Sequence, residues 1–69
     1  MEIFAKRLKE LRKEKKKKQT EMAEFLGISP RAYQYYEGAA YYPEVPSLIK
    51  LADYFEVSLD YLLGRSEER

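Results

Sequence analysis

The chain has 69 residues, is 45% hydrophobic and 36% charged, and carries a formal charge of +1, a composition typical of one small globular domain. It contains no histidine and no cysteine, which excludes an imidazole base, a thiol nucleophile, a disulfide and a thiolate metal site. We therefore expect a protein without enzymatic activity, metal or cofactor and, because no apolar run approaches a membrane span or a signal peptide, one that is cytoplasmic.

The first predicted helix spans residues 2–16, where Phe4, Leu8 and Leu11 recur with helical spacing on one face. Residues 1–18 hold nine basic and three acidic side chains and so carry +6, while the rest of the chain carries −5. A block this basic indicates an anionic partner, either nucleic acid or a membrane surface, unless it is only a solvated helix face.

A second helix is predicted over residues 19–26, and a third begins at Ser29, directly after a short turn. Gly27 suits the left-handed conformation that ends a helix, and Ser29 followed by Pro30 is a typical helix start. Two helices joined by such a turn form the helix-turn-helix arrangement. Small and apolar residues have the spacing that this arrangement needs, although any helical hairpin shows similar spacings. They are Ala23, Gly27, Ile28 and Tyr33.

The second half of the chain is predicted to contain two more helices after a loop at residues 38–43. The fourth helix starts at Pro46 and Ser47, and the last one is capped by Ser58 and closed by Gly64. Because no segment alternates with a period of two, we expect an all-α fold of five short helices.

At this point the sequence resembles the Cro/repressor-type (Xre) helix-turn-helix domains of phage and bacterial regulators. Four stretches carry the resemblance in a fixed order: FAKRLKELRKEK, QTEMAEFLGIS, YE and PSLIKLADYFEVSLDYLLGR. It covers residues 4–65, with the motif at about 19–37 and a polar tail at 66–69. It implies a lambda-repressor-like domain whose third helix enters the major groove of double-stranded DNA. It also implies a homodimer on a palindromic operator and a transcriptional regulator, most often a repressor.

The resemblance places the DNA-binding residues at the start of helix 2, on helix 3 and in the loop after it. Gln19 is expected to bond a phosphate and to buttress helix 3, whose N-terminus at Ser29 points towards the backbone. Arg31 is expected to read guanine, Gln34 adenine, and Tyr35 a thymine methyl or a phosphate, unless each touches phosphate only. The candidate DNA-binding residues are Lys18, Gln19, Thr20, Ser29, Pro30, Arg31, Gln34, Tyr35 and Tyr41.

The sequence departs from the family pattern at several positions. Residues 16–18 are lysines where Gly-Leu-Thr is usual, which removes a loop glycine, an apolar plug and an N-cap hydroxyl. We expect the stem of Lys17 to cover the core and the stability of this turn to suffer. Pro30 replaces a common base-reading Gln. After Glu37 a glycine with Lys or Arg is usual, whereas this loop has no basic residue. Tyr41 or Tyr42 is expected to supply hydroxyl contacts instead, unless its ring packs on helix 4 or on a dimer partner, as we expect for at least one of them.

Two further groups have structural roles in similar domains. Arg12 and Glu37 match an ion pair that bridges helix 1 and the end of helix 3, and we expect this pair to orient helix 3. Apolar surface beyond what five short helices can bury predicts a dimer interface. The predicted interface residues are Tyr54, Leu59, Tyr61 and Leu62.

Two alternative functions remain open at this point. The first is an antitoxin, or a regulator subunit whose main partner is another protein, because the fold would be the same. The second is a basic module that binds a membrane surface. Because Phe4, Leu8 and Leu11 are already needed for the core, little apolar surface would be left to insert into a membrane.

Overall fold

The computed structural model describes residues 2–69, which form five α-helices and no strand, as predicted. The first helix ends two residues before its predicted end, and the fourth begins one residue early. None of the helices in this range is long and apolar enough to cross a lipid bilayer. The helices are α1 (Glu2–Glu14), α2 (Gln19–Leu26), α3 (Pro30–Glu37), α4 (Val45–Phe55) and α5 (Leu59–Leu63).

Every helix contributes apolar side chains to a single core. Phe4 and Leu8 from α1, Tyr33 from α3 and Leu51 from α4 are at most 1% exposed, and each buried side chain of this size stabilises the fold by about 2 kcal/mol. Leu62 of α5 has no exposed surface, so the prediction that it contacts a second copy is wrong. The core takes up the apolar face of α1, which leaves little of that face for insertion into a membrane surface.

The turn between α2 and α3 has the geometry that the sequence predicted. Gly27 adopts the left-handed conformation at φ 71°, and the N–H of Ile28 donates to the carbonyl oxygen of Ala23 at 3.0 Å. The hydroxyl oxygen of Ser29 accepts from the N–H of Ala32 at 3.1 Å and thereby caps α3. Local chemistry therefore fixes where α2 ends and α3 begins.

The lysine turn, residues 15–18, connects α1 to α2 under backbone strain. Lys16 adopts the left-handed conformation at φ 57°, which the usual glycine would adopt without a steric penalty. Lys17 is half-buried, in agreement with a side-chain stem that covers the core. Lys18 offers no side-chain acceptor to α2, and Glu21 instead accepts from the N–H of Lys18 at 2.8 Å.

The chain after α5 folds back across α1 and α5. Arg69 donates two hydrogen bonds to Glu14, at 2.6 and 2.9 Å, and Arg7 donates to the carbonyl oxygen of Ser66 at 2.7 Å. The guanidinium groups of Arg7 and Arg69 lie 4.1 and 5.4 Å from the ring centroid of Tyr61. The tail therefore covers Tyr61, one of the predicted dimer residues.

We expect the variant Lys16→Gly to be more stable than the parent protein by about 0.5–1 kcal/mol, because glycine adopts positive φ without a steric penalty. Urea denaturation followed by circular dichroism measures the difference. Lys16→Ala is the matched control, since it removes the same charge and keeps the strained Cβ. An equal gain in both variants would assign the effect to charge repulsion and not to the backbone.

Candidate nucleic-acid interface

The carboxylate of Glu37, at the end of α3, accepts hydrogen bonds from three other side chains. Arg12 of α1 donates from Nε at 2.7 Å and from Nη2 at 3.1 Å, in the bidentate geometry expected for this pair. Gln19 of α2 donates from Nε2 at 3.1 Å, and the hydroxyl of Tyr33 donates from one turn earlier in α3. The Glu37 network therefore joins α1, α2 and α3 at one point.

Charge is retained in this network despite its burial. The side chain of Glu37 is only 4% exposed and that of Arg12 12% exposed. Burial alone would raise the pKa of Glu37, but the hydrogen bonds from Arg12, Tyr33 and Gln19 outweigh it and lower that pKa overall. Burial and the carboxylate raise the pKa of Tyr33, so its hydroxyl stays a donor. The network is therefore an anion, Glu37, that accepts hydrogen bonds from one cation and two neutral donors.

The same network extends to the lysine turn. Arg12 uses its remaining nitrogen, Nη1, to donate to the carbonyl oxygen of Lys17 at 2.9 Å. Gln19 is therefore held against α3 from one side while the turn before it is held by α1. The buttressing contact expected of Gln19 is present, whereas the role of Tyr33 was missed. The available signal was the spacing, because a tyrosine four residues before a glutamate on a helix lies on the same face and can donate its hydroxyl hydrogen to that carboxylate.

The outer face of α3 is polar and exposed. Arg31, Gln34 and Tyr35 are all exposed on the side of the helix away from Tyr33, which is fully buried. Arg31 and Tyr35 lie one helical turn apart and therefore form one stripe along this face. Pro30 is exposed at the first helical position, where its missing N–H costs no hydrogen bond.

The start of α2 supplies positive charge and hydrogen-bonding groups next to α3. Lys18 and Thr20 are exposed, and the contact between Gln19 and Glu37 places the start of α2 beside the end of α3. Lys15 and Lys16 are exposed as well. The exposed residues at the start of α2 therefore lie beside the end of α3, at Glu37.

Tyr41 lies beside the end of α3. Its ring centroid is 5.5 Å from that of Tyr35 and 5.8 Å from that of Tyr36. The ring of Tyr42 packs instead on Phe4 of α1, with centroids 5.3 Å apart. Both rings pack within the chain, Tyr41 against α3 and Tyr42 against α1, and Tyr42 also lines a groove with Leu48 of α4.

The predicted dimer residues do not share one exposed surface. Tyr54 packs against Phe25 of α2 with ring centroids 4.6 Å apart, and the ammonium group of Lys15 lies 5.2 Å from its ring. Tyr61 is covered by the tail, and only Leu59 remains half-exposed without such a cover. Tyr54 and Tyr61 therefore serve contacts within the chain.

The apolar side chains with the highest exposed fractions in the second half of the chain lie elsewhere. Val45 is 61% exposed and Ile49 is 47% exposed, and one turn separates them on α4. A shallow groove next to them is lined by Tyr42, Leu48, Leu63 and Arg65. The apolar stripe on α4 was missed because the fourth helix was predicted to start at Pro46, which left Val45 outside it.

Known proteins resemble this chain over most of its length. The helix-turn-helix family HTH_3 matches residues 8–62. The HTH-type transcriptional regulator YqaE of Bacillus subtilis is 44% identical over 68 residues, which cover 97% of this chain and 59% of that protein. The cryptic phage CTXphi transcriptional repressor RstR of Vibrio cholerae is 42% identical over 59 residues, covering 86% of this chain and 53% of that protein.

A solved structure has the same fold. The crystal structure of a transcriptional regulator from Listeria innocua superposes with a TM-score of 0.86 at 38% identity, covering 96% of this chain and 62% of that one. The chain thus spans little more than half the length of the curated relatives named here. The family resemblance read from the sequence is confirmed, and the family is one of regulators and not of enzymes.

Replacing the buried carboxylate tests the Glu37 network. We expect Glu37→Gln to lower the free energy of unfolding by about 2 kcal/mol at pH 7, because Arg12 then loses its anion in a largely buried place. The folded pKa of Glu37 lies below the ordinary value of 4.5, so its contribution is present above about pH 4.5 and disappears as the pH falls through the folded pKa. The variant should therefore lose less stability on acidification than the parent protein.

Chemical denaturation at a series of pH values measures both effects. Glu10→Gln is the control, because Glu10 is an exposed glutamate on α1 and should change stability by less than about 0.5 kcal/mol. If the free energy of unfolding fell equally with decreasing pH in the parent protein and in Glu37→Gln, the assigned role would be contradicted.

Proposed function

The chain belongs to the helix-turn-helix family, and we propose that it is a transcriptional repressor that binds a palindromic operator in double-stranded DNA as a homodimer. The observation that carries this proposal is the Glu37 network, because it holds α3 at a fixed angle with its polar face towards solvent. Repression is proposed because RstR, 42% identical, is named as a repressor. The other named relative and the solved structure carry the broader title of regulator.

Base recognition is assigned to the outer face of α3 in the major groove. The guanidinium of Arg31 has the fork geometry that matches O6 and N7 of guanine. The amide of Gln34 matches N6 and N7 of adenine in the same way. The hydroxyl of Ser29 and the N–H of Arg31 suit a backbone phosphate, which would set the register of the helix. Pro30 has no N–H, and the N–H groups of Ala32 and Tyr33 donate to Ser29.

Phosphate binding is assigned to the start of α2. Lys18 and Thr20 are exposed beside Gln19, and Lys15 and Lys16 add charge to the same turn. Each phosphate that these groups neutralise releases counterions from the DNA. Affinity should therefore fall steeply with salt, with a log–log slope of about −0.9 per neutralised phosphate.

The homodimer is proposed to form through α4 and α5. Val45 and Ile49 give α4 an exposed apolar stripe, and Leu59 and Leu63 lie one turn apart on α5 with partial exposure. This surface replaces the predicted one, from which only Leu59 is retained. A two-fold pair of this kind would present two copies of α3 to half-sites separated by about 34 Å.

Operator binding is tested by incubating the protein with random-sequence duplexes and sequencing the bound fraction. We expect a palindromic motif. Arg31→Ala should relax one base position per half-site at a cost of about 1–3 kcal/mol, whereas Lys18→Ala should weaken all sequences alike and reduce the salt slope by about one. Lys6→Ala is the matched control, because Lys6 is an exposed lysine on α1 that lines a groove with Tyr61 and is not among the proposed DNA contacts.

Recovery of no enriched motif at physiological salt would overturn operator binding. Co-purification of a small protein in that case would favour the alternative in which a protein partner is the main target.

Sedimentation equilibrium tests the dimer surface. Ile49→Lys should shift the protein from dimer to monomer at tens of micromolar, because a charge in an apolar interface is left without a partner. Glu24→Lys is the control, since it introduces the same side chain at an exposed position on α2, outside the proposed surface. If Ile49→Lys remained a dimer, the interface would lie elsewhere. If the parent protein bound its operator as a monomer, the homodimer would be excluded.

A further inference from the structure

The exposed rings of Tyr35 and Tyr41 continue a row of tyrosines that starts in the core. Tyr33 is fully buried and lies edge-on to Tyr36, with centroids 6.2 Å apart. Tyr36 in turn lies edge-on to Tyr41, and Tyr41 contacts Tyr35. The row therefore runs from the Glu37 network to the outer face of α3, and its last two rings are 46% and 42% exposed.

The loop after α3 fixes the position of Tyr41. Ala39 adopts the left-handed conformation at φ 62°, which reverses the direction of the chain after the helix. The N–H of Ala40 then donates to the carbonyl oxygen of Tyr35 at 3.0 Å, as in a Schellman turn. Because this hydrogen bond ties the loop to the residue that Tyr41 contacts, the two rings are held together by backbone as well as by packing.

We propose that Tyr35 and Tyr41 form one apolar wall that contacts the C5-methyl group of a thymine in the operator, with Tyr35 touching the methyl and Tyr41 acting as a positioning residue. This inference rests on the proposed operator binding. Tyr35 lies one turn after Arg31 on the outer stripe of α3. The thymine therefore belongs to a base pair close to the one that Arg31 reads.

The chemistry of the wall selects the methyl group among the features of the major groove. Base edges there offer hydrogen-bond donors, acceptors and a single apolar group, the methyl of thymine. Two tilted rings present mainly ring carbon, which gains nothing from a donor or acceptor but removes a methyl from water. Burial of one methyl corresponds to about a fourfold gain in affinity.

Tyr41 is assigned the positioning role because of its neighbours. An exposed tyrosine on a helix can adopt more than one rotamer, and ordering it on binding costs conformational entropy. Contact with Tyr41 on one side limits Tyr35 before the DNA arrives. Tyr41 itself is held by Tyr36 and by the backbone hydrogen bond from Ala40.

The experiment replaces each thymine of the enriched operator, one at a time, by deoxyuridine, which lacks only the C5-methyl. The ratio of the two dissociation constants is the readout, because a change in overall stability does not alter it. For the parent protein we expect a ratio of about four at one position in each half-site. Tyr35→Ala should bring that ratio to one, while Tyr35→Phe should keep it.

Variants of the loop separate positioning from contact. Tyr41→Ala should lower the ratio at the same thymine without moving it to another one, and Tyr41→Phe should restore it. Tyr42→Ala is the matched control, because Tyr42 is a neighbouring tyrosine of similar exposure, 43%, that packs on Phe4. It should leave the ratio unchanged.

The two levels of the proposal fail in different ways. Absence of any enriched duplex overturns operator binding itself. An operator that is bound tightly but shows a ratio of one at every thymine, or the same ratio in Tyr35→Ala as in the parent protein, overturns the methyl contact alone. Loss of affinity in Tyr35→Phe with an unchanged ratio in Tyr35→Ala would assign the hydroxyl to a phosphate.

Discussion

The carboxylate of Glu37 is the point at which three short helices acquire a fixed relation to each other. The helices α2 and α3 have eight residues each, fewer than the roughly 12–15 that an isolated helix needs for stability in water. Apolar packing around Tyr33 supplies the cohesion but is not directional. The hydrogen bonds from Arg12, Gln19 and Tyr33 have narrow geometric limits, so they fix the direction in which α3 presents its outer face.

The surroundings of this network combine strain with charge. The lysine turn places Lys16 at a positive φ, and the side chain of Lys18 makes no capping hydrogen bond at the start of α2. Both features cost stability. The same residues carry positive charge beside the start of α2, where the proposed phosphate contacts lie. Backbone strain concentrated at such a site is common where function and stability compete. The anchor from Arg12 to Lys17 holds this turn in place.

The outer face of α3 is charged near the start of the helix and aromatic near its end. Arg31 near the start of α3 is charged, whereas Tyr35 near its end is joined by Tyr41 from the loop. The proposed interface therefore has a hydrogen-bonding part and an apolar part on a single helix. The tail covers Tyr61, whereas the stripe of Val45 and Ile49 on α4 remains exposed.

The sequence by itself determined the number and order of the helices, most of their ends and the family. Periodic apolar residues and the caps at Gly27, Ser29 and Ser58 involve residues close together in the chain. They can therefore be recognised in the sequence before the tertiary structure is known. The family resemblance added the pair of Arg12 and Glu37. Tertiary structure alone decided that Tyr33 completes their network, that Leu62 is core, and that Tyr54 and Tyr61 are covered. Those outcomes depend on how helices distant in sequence cross, and helical spacing fixes the face of each helix but not the neighbour that it meets.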